Sequence, residues 1–150
     1  MSGSSGRAAQ RAVSTVGPVL IIGSGLLGAS LGLALRAGGV PVYLEDASPT
    51  SLRLASDVGA GDAFTDVLAQ AGVRRAACGT DHQDYEAPRL VVVATPPDVA
   101  DRVIVESLLR FPEAIVTDVA SVKDAIVADV LSGLRAEGAS EASSRYVGSH

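Results

Sequence analysis

A glycine-rich segment near the N-terminus has the spacing of a phosphate-binding loop. It reads Gly23-Ser24-Gly25-Leu26-Leu27-Gly28, and it lies between a continuous apolar run and a stretch with helical periodicity. In this pattern the first glycine permits a tight turn, the second lets the backbone approach a pyrophosphate, and the third lets the helix pack close to the strand. Unpaired N–H groups and the positive end of the helix dipole then attract the phosphates. The segment predicts that residues 23–28 bind a dinucleotide.

Two acidic residues follow at the distance that such a loop requires. Glu45 and Asp46 come 17 and 18 residues after Gly28, at the end of the next predicted strand. A carboxylate there accepts hydrogen bonds from the adenosine ribose and repels a 2′-phosphate. No arginine follows directly, since Arg53 is a turn or more into the next helix. We therefore predict NAD rather than NADP as the cofactor, with Asp46 on the ribose. A glycine-rich turn followed by a solvated acidic loop is the structural alternative.

Two later segments are predicted to reach the same edge of the sheet. Thr95 and Pro96 end another apolar strand, and ligands of open α/β sheets bind along the carboxyl edge. We therefore assign both residues to the cofactor site, although prolines also simply end a strand and begin a helix.

Ser121 and Lys123 follow the next strand along the chain. Ser121, with Asp124 three residues later, is compatible with a helix-capping box that has Asp in place of Glu. Its position is also where a nicotinamide and a substrate would meet. Lys123 is the only lysine among 12 basic residues, and a site that needs a compact ammonium would retain lysine rather than arginine.

The hydrophobic pattern predicts strands that alternate with helices. The strands are expected over 19–22, 40–44, 90–94, 114–118 and 145–147. The helices are expected over 26–37, 50–57, 64–77, 98–110 and 122–131, with a loop over 79–88 and a linker over 132–144. Strand–helix alternation implies parallel strands joined by right-handed crossovers. The predicted fold is α/β and Rossmann-like: a doubly wound, mainly parallel sheet with helices on both faces.

The composition bounds the class of protein. A chain of 150 residues fits one domain, and 47% hydrophobic against 19% charged residues is typical of a folded one. The net charge of −5 argues against nucleic-acid binding. The lone Cys78 forms no internal disulfide or Cys-based zinc site, and no apolar run approaches a membrane span. We predict a cytoplasmic dinucleotide-binding domain over 17–150, without metal, after a disordered tail or cloning remnant over 1–16.

Four segments together resemble the prephenate/arogenate dehydrogenase family of tyrosine biosynthesis. They are GSGLLGASLGLALR, ATPPDV, TDVASVK and the terminal RYVGSH, within residues 18–150. The resemblance implies NAD-dependent oxidative decarboxylation of prephenate to 4-hydroxyphenylpyruvate, or of arogenate to tyrosine. His150 matches the family histidine that accepts or polarises the hydroxyl proton. Ser121 matches the family serine that hydrogen-bonds around the hydroxyl and the nicotinamide.

The resemblance also implies parts that this sequence does not contain. The family's C-terminal helical domain, which carries dimerisation and substrate-binding arginines, would follow residue 150. We therefore expect a homodimer through that domain, and no turnover by this segment alone. Two other functions remain compatible with the residues: another NAD(P)-dependent hydroxyacid dehydrogenase or imine reductase, and a non-catalytic nucleotide-sensing domain.

Overall fold

Six strands and five α-helices alternate along the chain in the computed structural model, which describes residues 15, 17–78, 85–121 and 123–149. The strands are β1 Val19–Ile22, β2 Val42–Glu45, β3 Asp62–Ala63, β4 Leu90–Val93, β5 Ile115–Asp118 and β6 Tyr146–Gly148. The helices are α1 Leu26–Ala37, α2 Pro49–Asp57, α3 Phe64–Cys78, α4 Pro97–Arg110 and α5 Lys123–Ala136. A 3-10 helix over Ser140–Arg145 precedes β6.

The described strands form one sheet in the order β3-β2-β1-β4-β5-β6, and every pairing is parallel. This order places the topological switch point between β1 and β4, where dinucleotides bind in Rossmann-type sheets. The predicted Rossmann-like α/β fold is confirmed. The sheet is parallel throughout rather than mainly so.

The central strand β1 is buried on both faces, which explains its unbroken apolar sequence. Leu20 and Ile22 contribute to one core with α4 and α5, whereas Val19 and Ile21 contribute to a second core with α1 and α2. Side chains alternate across a strand, so one four-residue segment supports both layers of helices. The sheet is therefore packed on both faces beneath the loops at its carboxyl edge.

Local sequence signals explain where α2 begins and how closely α1 packs. The hydroxyl of Ser48 accepts a hydrogen bond from the Ser51 backbone N–H at 3.3 Å, and Pro49 begins α2, as expected of an N-cap followed by proline. In α1, a Cβ on Gly32 would lie 2.4 Å from the Ala60 carbonyl oxygen. Glycine at that position lets α1 pack directly against the backbone that leads into β3.

The predicted linker over 132–144 is wrong, because α5 continues to Ala136 and the 3-10 helix follows it. Ile126, Val130 and Leu134 are buried at intervals of four, so the apolar stripe of the helix runs past its predicted end. Glycine is unfavourable inside a helix, so Gly133 indicated a break in the helix rather than its continuation. A Cβ there would lie 3.0 Å from a Val105 methyl group, so the glycine reflects close packing of α5 on α4.

Smaller differences lie at element ends and at one missed strand. The second strand begins at Val42 rather than residue 40. The last strand begins at Tyr146, because Arg145 is the final residue of the 3-10 helix. The two-residue β3 has no hydrophobic pattern of its own. Predictions for residues 1–14, 16, 79–84, 122 and 150 lie outside the described residues. Within the described ranges, no helix is long and apolar enough to cross a bilayer.

Candidate nucleotide-binding site

The three glycines of the loop occupy different environments. Gly23 has φ +100°, and a Cβ there would lie 2.5 Å from the Ala94 carbonyl oxygen. A Cβ on Gly28 would lie 1.9 Å from the Gly23 carbonyl oxygen. Gly25, just before α1, has φ −67° and nothing within 4 Å of a built Cβ. Gly23 and Gly28 are therefore required by packing, whereas Gly25 leaves open space at the N-terminus of a helix.

Asp46 joins the end of β2 to this loop. Its Oδ2 accepts hydrogen bonds from the Ser24 backbone N–H at 2.6 Å and from the Ser24 hydroxyl at 2.8 Å. Its Oδ1 accepts from the Ser48 N–H at 2.7 Å. Burial alone would raise the pKa of Asp46, but these hydrogen bonds outweigh it and hold the pKa below its ordinary value. A fixed negative charge therefore lies beside the glycine loop.

Glu45 is engaged differently from Asp46. Its two carboxylate oxygens accept hydrogen bonds from Nη1 of Arg110 at 3.0 and 2.9 Å. The Arg110 guanidinium lies over the rings of Phe64 and Phe111, 5.3 and 4.9 Å from their centroids. Of the two acids that the sequence offered for the ribose, Asp46 is thus the one directed at the loop.

A cleft of about 440 Å³ opens at the switch point of the sheet. Its lining includes Gly23, Asp46, Thr95 and Pro96, so four of the predicted cofactor residues meet there. The Thr95 hydroxyl is buried and has no hydrogen-bond partner within the described part of the chain. An unpaired buried hydroxyl is costly unless a ligand or water pairs with it. The cleft therefore offers a fixed carboxylate to a dinucleotide, and Gly25 leaves open space at the N-terminus of α1.

Leu26 and Leu27 lie at the start of α1 and are exposed, Leu26 by 92% of its surface. They directly follow the open position at Gly25. Large apolar side chains at this point are available to contact a bound molecule or a further domain.

A second polar cluster is formed by Asp118 at the end of β5, Lys123 at the start of α5 and Tyr146 at the start of β6. The fully buried Asp118 carboxylate accepts hydrogen bonds from Lys123 Nζ, from the Tyr146 hydroxyl at 2.6 Å and from the Ala120 N–H at 2.9 Å. Burial opposes ionisation of Asp118, but these donors hold its pKa below the ordinary value. Burial, together with the Asp118 charge, raises the pKa of Tyr146.

This second cluster holds the chain on either side of Ser121. Asp118 ends β5, Lys123 begins α5, and the Ser149 hydroxyl donates to the Asp118 carbonyl oxygen. Ser121 itself is exposed, and α5 begins two residues after it, outside the position of a capping residue. Sequence reasoning singled out Lys123 as a lone lysine but missed its partners, because a buried Asp at a strand end is recognisable only from its contacts.

The fold, the glycine loop and the acid at the end of β2 define a Rossmann-type nucleotide-binding domain. The family model for the nucleotide-binding domain of prephenate dehydrogenase matches residues 31–150. The chain belongs to the prephenate dehydrogenase family, as its nucleotide-binding domain. A nucleotide cofactor follows from that membership.

Relatives of the chain agree with this family. A curated protein from Streptomyces niveus, named "Probable prephenate dehydrogenase NovF", is 39% identical over 104 residues, which are 69% of this chain and 24% of that protein. A solved structure described as a "putative prephenate dehydrogenase" from Corynebacterium glutamicum has a TM-score of 0.57 and 33% identity, over 89% of this chain and 36% of that one.

The fold is also shared with a more distant enzyme. Arogenate dehydrogenase from Synechocystis has a TM-score of 0.58 and 24% identity, over 77% of this chain and 37% of that one. The chain thus spans about a quarter of the curated relative and little more than a third of each solved structure. In the described ranges, no group of three or more potential ligand side chains is placed to hold a metal ion.

Proposed function

We propose that the chain is the NAD-binding domain of an enzyme that oxidatively decarboxylates prephenate or arogenate. The observation that carries the cofactor assignment is the Asp46 carboxylate, held beside the glycine loop by Ser24 and Ser48. An ionised acceptor at the end of β2 favours a ribose diol and disfavours a 2′-phosphate. Family membership supports the reaction.

Each part of the cleft would hold one part of the cofactor. The backbone around Gly25 and the N-terminus of α1 would receive the pyrophosphate, because nothing in the protein fills that space. Asp46 would accept from the adenosine ribose. Thr95, whose hydroxyl has no partner among the described residues, would hydrogen-bond the cofactor beside Pro96. When bound there, NAD supplies the acceptor for the hydride.

The chemical step would use Ser121 and His150, which follow β5 and β6 in the sequence. As the hydride leaves ring C4 of the substrate, His150 takes the proton of the 4-hydroxyl group. The bond from the ring to the carboxylate then breaks, CO2 departs, and the electron pair makes the ring aromatic while the proton returns to the phenolic oxygen. A neutral imidazole suits this role near neutral pH. Ser121 would orient the hydroxyl group.

The whole enzyme would contain a second domain in addition to this one. A helical domain after residue 150 would bind the substrate carboxylates and form a homodimer, and the enzyme would act in the cytoplasm. The nucleotide-binding domain alone would then bind the cofactor but not turn over the substrate.

Steady-state kinetics of the full-length protein, with prephenate and arogenate and with each cofactor, test the reaction. We expect turnover with NAD, and His150→Asn should lower kcat by about 10²–10⁴-fold while NAD affinity changes little. The pH profile of kcat/KM should lose its acidic limb in that variant. Near-normal turnover by the His150 variant, or no turnover of either substrate by the native protein, would contradict the proposal.

A further inference from the structure

We infer that Glu45 is a second determinant of cofactor choice, which acts by neutralising Arg110 within the cofactor cleft. The inference rests on the proposed binding of NAD in that cleft. Glu45 is adjacent to Asp46 in the sequence, but its side chain pairs with Arg110 instead of facing the glycine loop.

Arg110 lies where it would otherwise favour a phosphorylated ribose. It lines the same cleft as Asp46, although it belongs to the end of α4, 64 residues further along the chain. Rossmann-type domains that accept NADP place an arginine near the ribose for the 2′-phosphate. The sequence immediately after β2 contains no such arginine, but the fold supplies this one from another helix.

Contacts with two aromatic rings and with Glu45 fix the position of the Arg110 side chain and neutralise its charge. Its guanidinium is held over the rings of Phe64 and Phe111, so its position is restricted. Its Nη1 donates to both carboxylate oxygens of Glu45. The acid neutralises the positive charge that a 2′-phosphate would need, and it occupies the Nη1 group of Arg110.

Removal of the Glu45 charge should therefore release a cation into a cleft that is already shaped for adenosine ribose. Affinity for NADP should rise while affinity for NAD changes less, because NAD has no 2′-phosphate. The pair is partly exposed, so the expected gain in NADP affinity relative to NAD is about fivefold.

The test is calorimetric titration of NAD and NADP into the native chain and three variants, each first checked by thermal melting. Glu45→Gln should raise the ratio of NADP to NAD affinity about fivefold, and Glu45→Gln with Arg110→Gln should abolish that gain. Asp62→Asn is the matched control, since it also converts an acid that is paired with an arginine into an amide, but outside the cleft. It should leave the ratio unchanged.

Three results would overturn the inference while NAD binding persists. The first is a ratio of NADP to NAD affinity that changes less than about twofold in Glu45→Gln. The second is an equal rise of this ratio in Asp62→Asn. The third is a rise of this ratio that persists in Glu45→Gln with Arg110→Gln. A native chain that binds neither cofactor would contradict the proposed function itself, and the inference with it.

Discussion

At the scale of single residues, Gly25 and Gly28 separate the binding role of the glycine loop from its packing role. A Cβ at Gly25 would have nothing within 4 Å beyond its neighbours in the chain. Because valine is a poor residue at this N-cap position, Gly25→Val should keep the fold but lower its stability by about 1 kcal/mol. It should abolish NAD binding, because the side chain takes the space of the pyrophosphate. Thermal melting and titration calorimetry on the same sample check both effects.

The matched control is Gly28→Ala, which adds one methyl group where the Gly23 carbonyl oxygen lies 1.9 Å away. Overpacking of this kind should lower stability by about 1–3 kcal/mol. If Gly25→Val unfolds the chain, or if Gly28→Ala melts like the native protein, the division of roles between the two glycines is wrong.

Ser121 offers a second test at this scale. In the full-length enzyme, Ser121→Ala should raise the activation free energy by about 0.5–1.5 kcal/mol, as expected for one lost hydrogen bond. The melting temperature should stay constant, since α5 begins beyond the point that Ser121 would cap. A lower melting temperature with normal kcat would instead support a purely structural serine.

At the scale of elements, the buried Asp118 links β5, α5 and β6 through Lys123 and Tyr146. Asp118→Asn should lower the free energy of unfolding by about 3 kcal/mol at neutral pH, because the change breaks a buried ion pair. Tyr146→Phe removes one hydrogen bond and should cost about 1 kcal/mol. Urea unfolding of the three proteins measures both values, and an Asp118 variant no less stable than Tyr146→Phe would contradict this account.

The lowered pKa of Asp118 also predicts a dependence of stability on pH. A carboxyl group whose folded pKa lies below its unfolded pKa stabilises the fold above the unfolded value, and this contribution is lost as the pH falls through the folded pKa. The native chain should therefore lose more stability on acidification below about pH 4 than Asp118→Asn does. Urea unfolding measured across that range checks this, and parallel pH curves would refute it.

Element order was predictable from the sequence wherever hydrophobic periodicity was long or unbroken. The apolar runs at β1 and β4 were recognisable in this way, whereas the start of α2 was recognisable from Ser48 and Pro49 as an N-cap followed by proline. The end of α5 was not, because Gly133 suggests a break unless the facing Val105 is known. The two residues of β3 pair with β2 without a sequence signal of their own.

At the scale of the whole molecule, the cleft follows from the order of the strands. The switch point between β1 and β4 brings Gly23 against Ala94, so Gly23 and residues 95–96 had to meet once the sheet was parallel. Arg110 could not be foreseen, since its place beside Glu45 depends on how α4 packs over the sheet. Side-chain pairs between residues far apart in the sequence can be recognised only from the three-dimensional structure.

The most direct test of the account is calorimetric titration of NAD and NADP into this chain and into Asp46→Ser. The native chain should bind NAD about tenfold or more tightly than NADP, the scale of one hydrogen bond to a charged group. Asp46→Ser should narrow that preference, because ribose acceptance and repulsion of the 2′-phosphate are lost together. NADP binding equal to or tighter than NAD binding in the native chain would contradict the account.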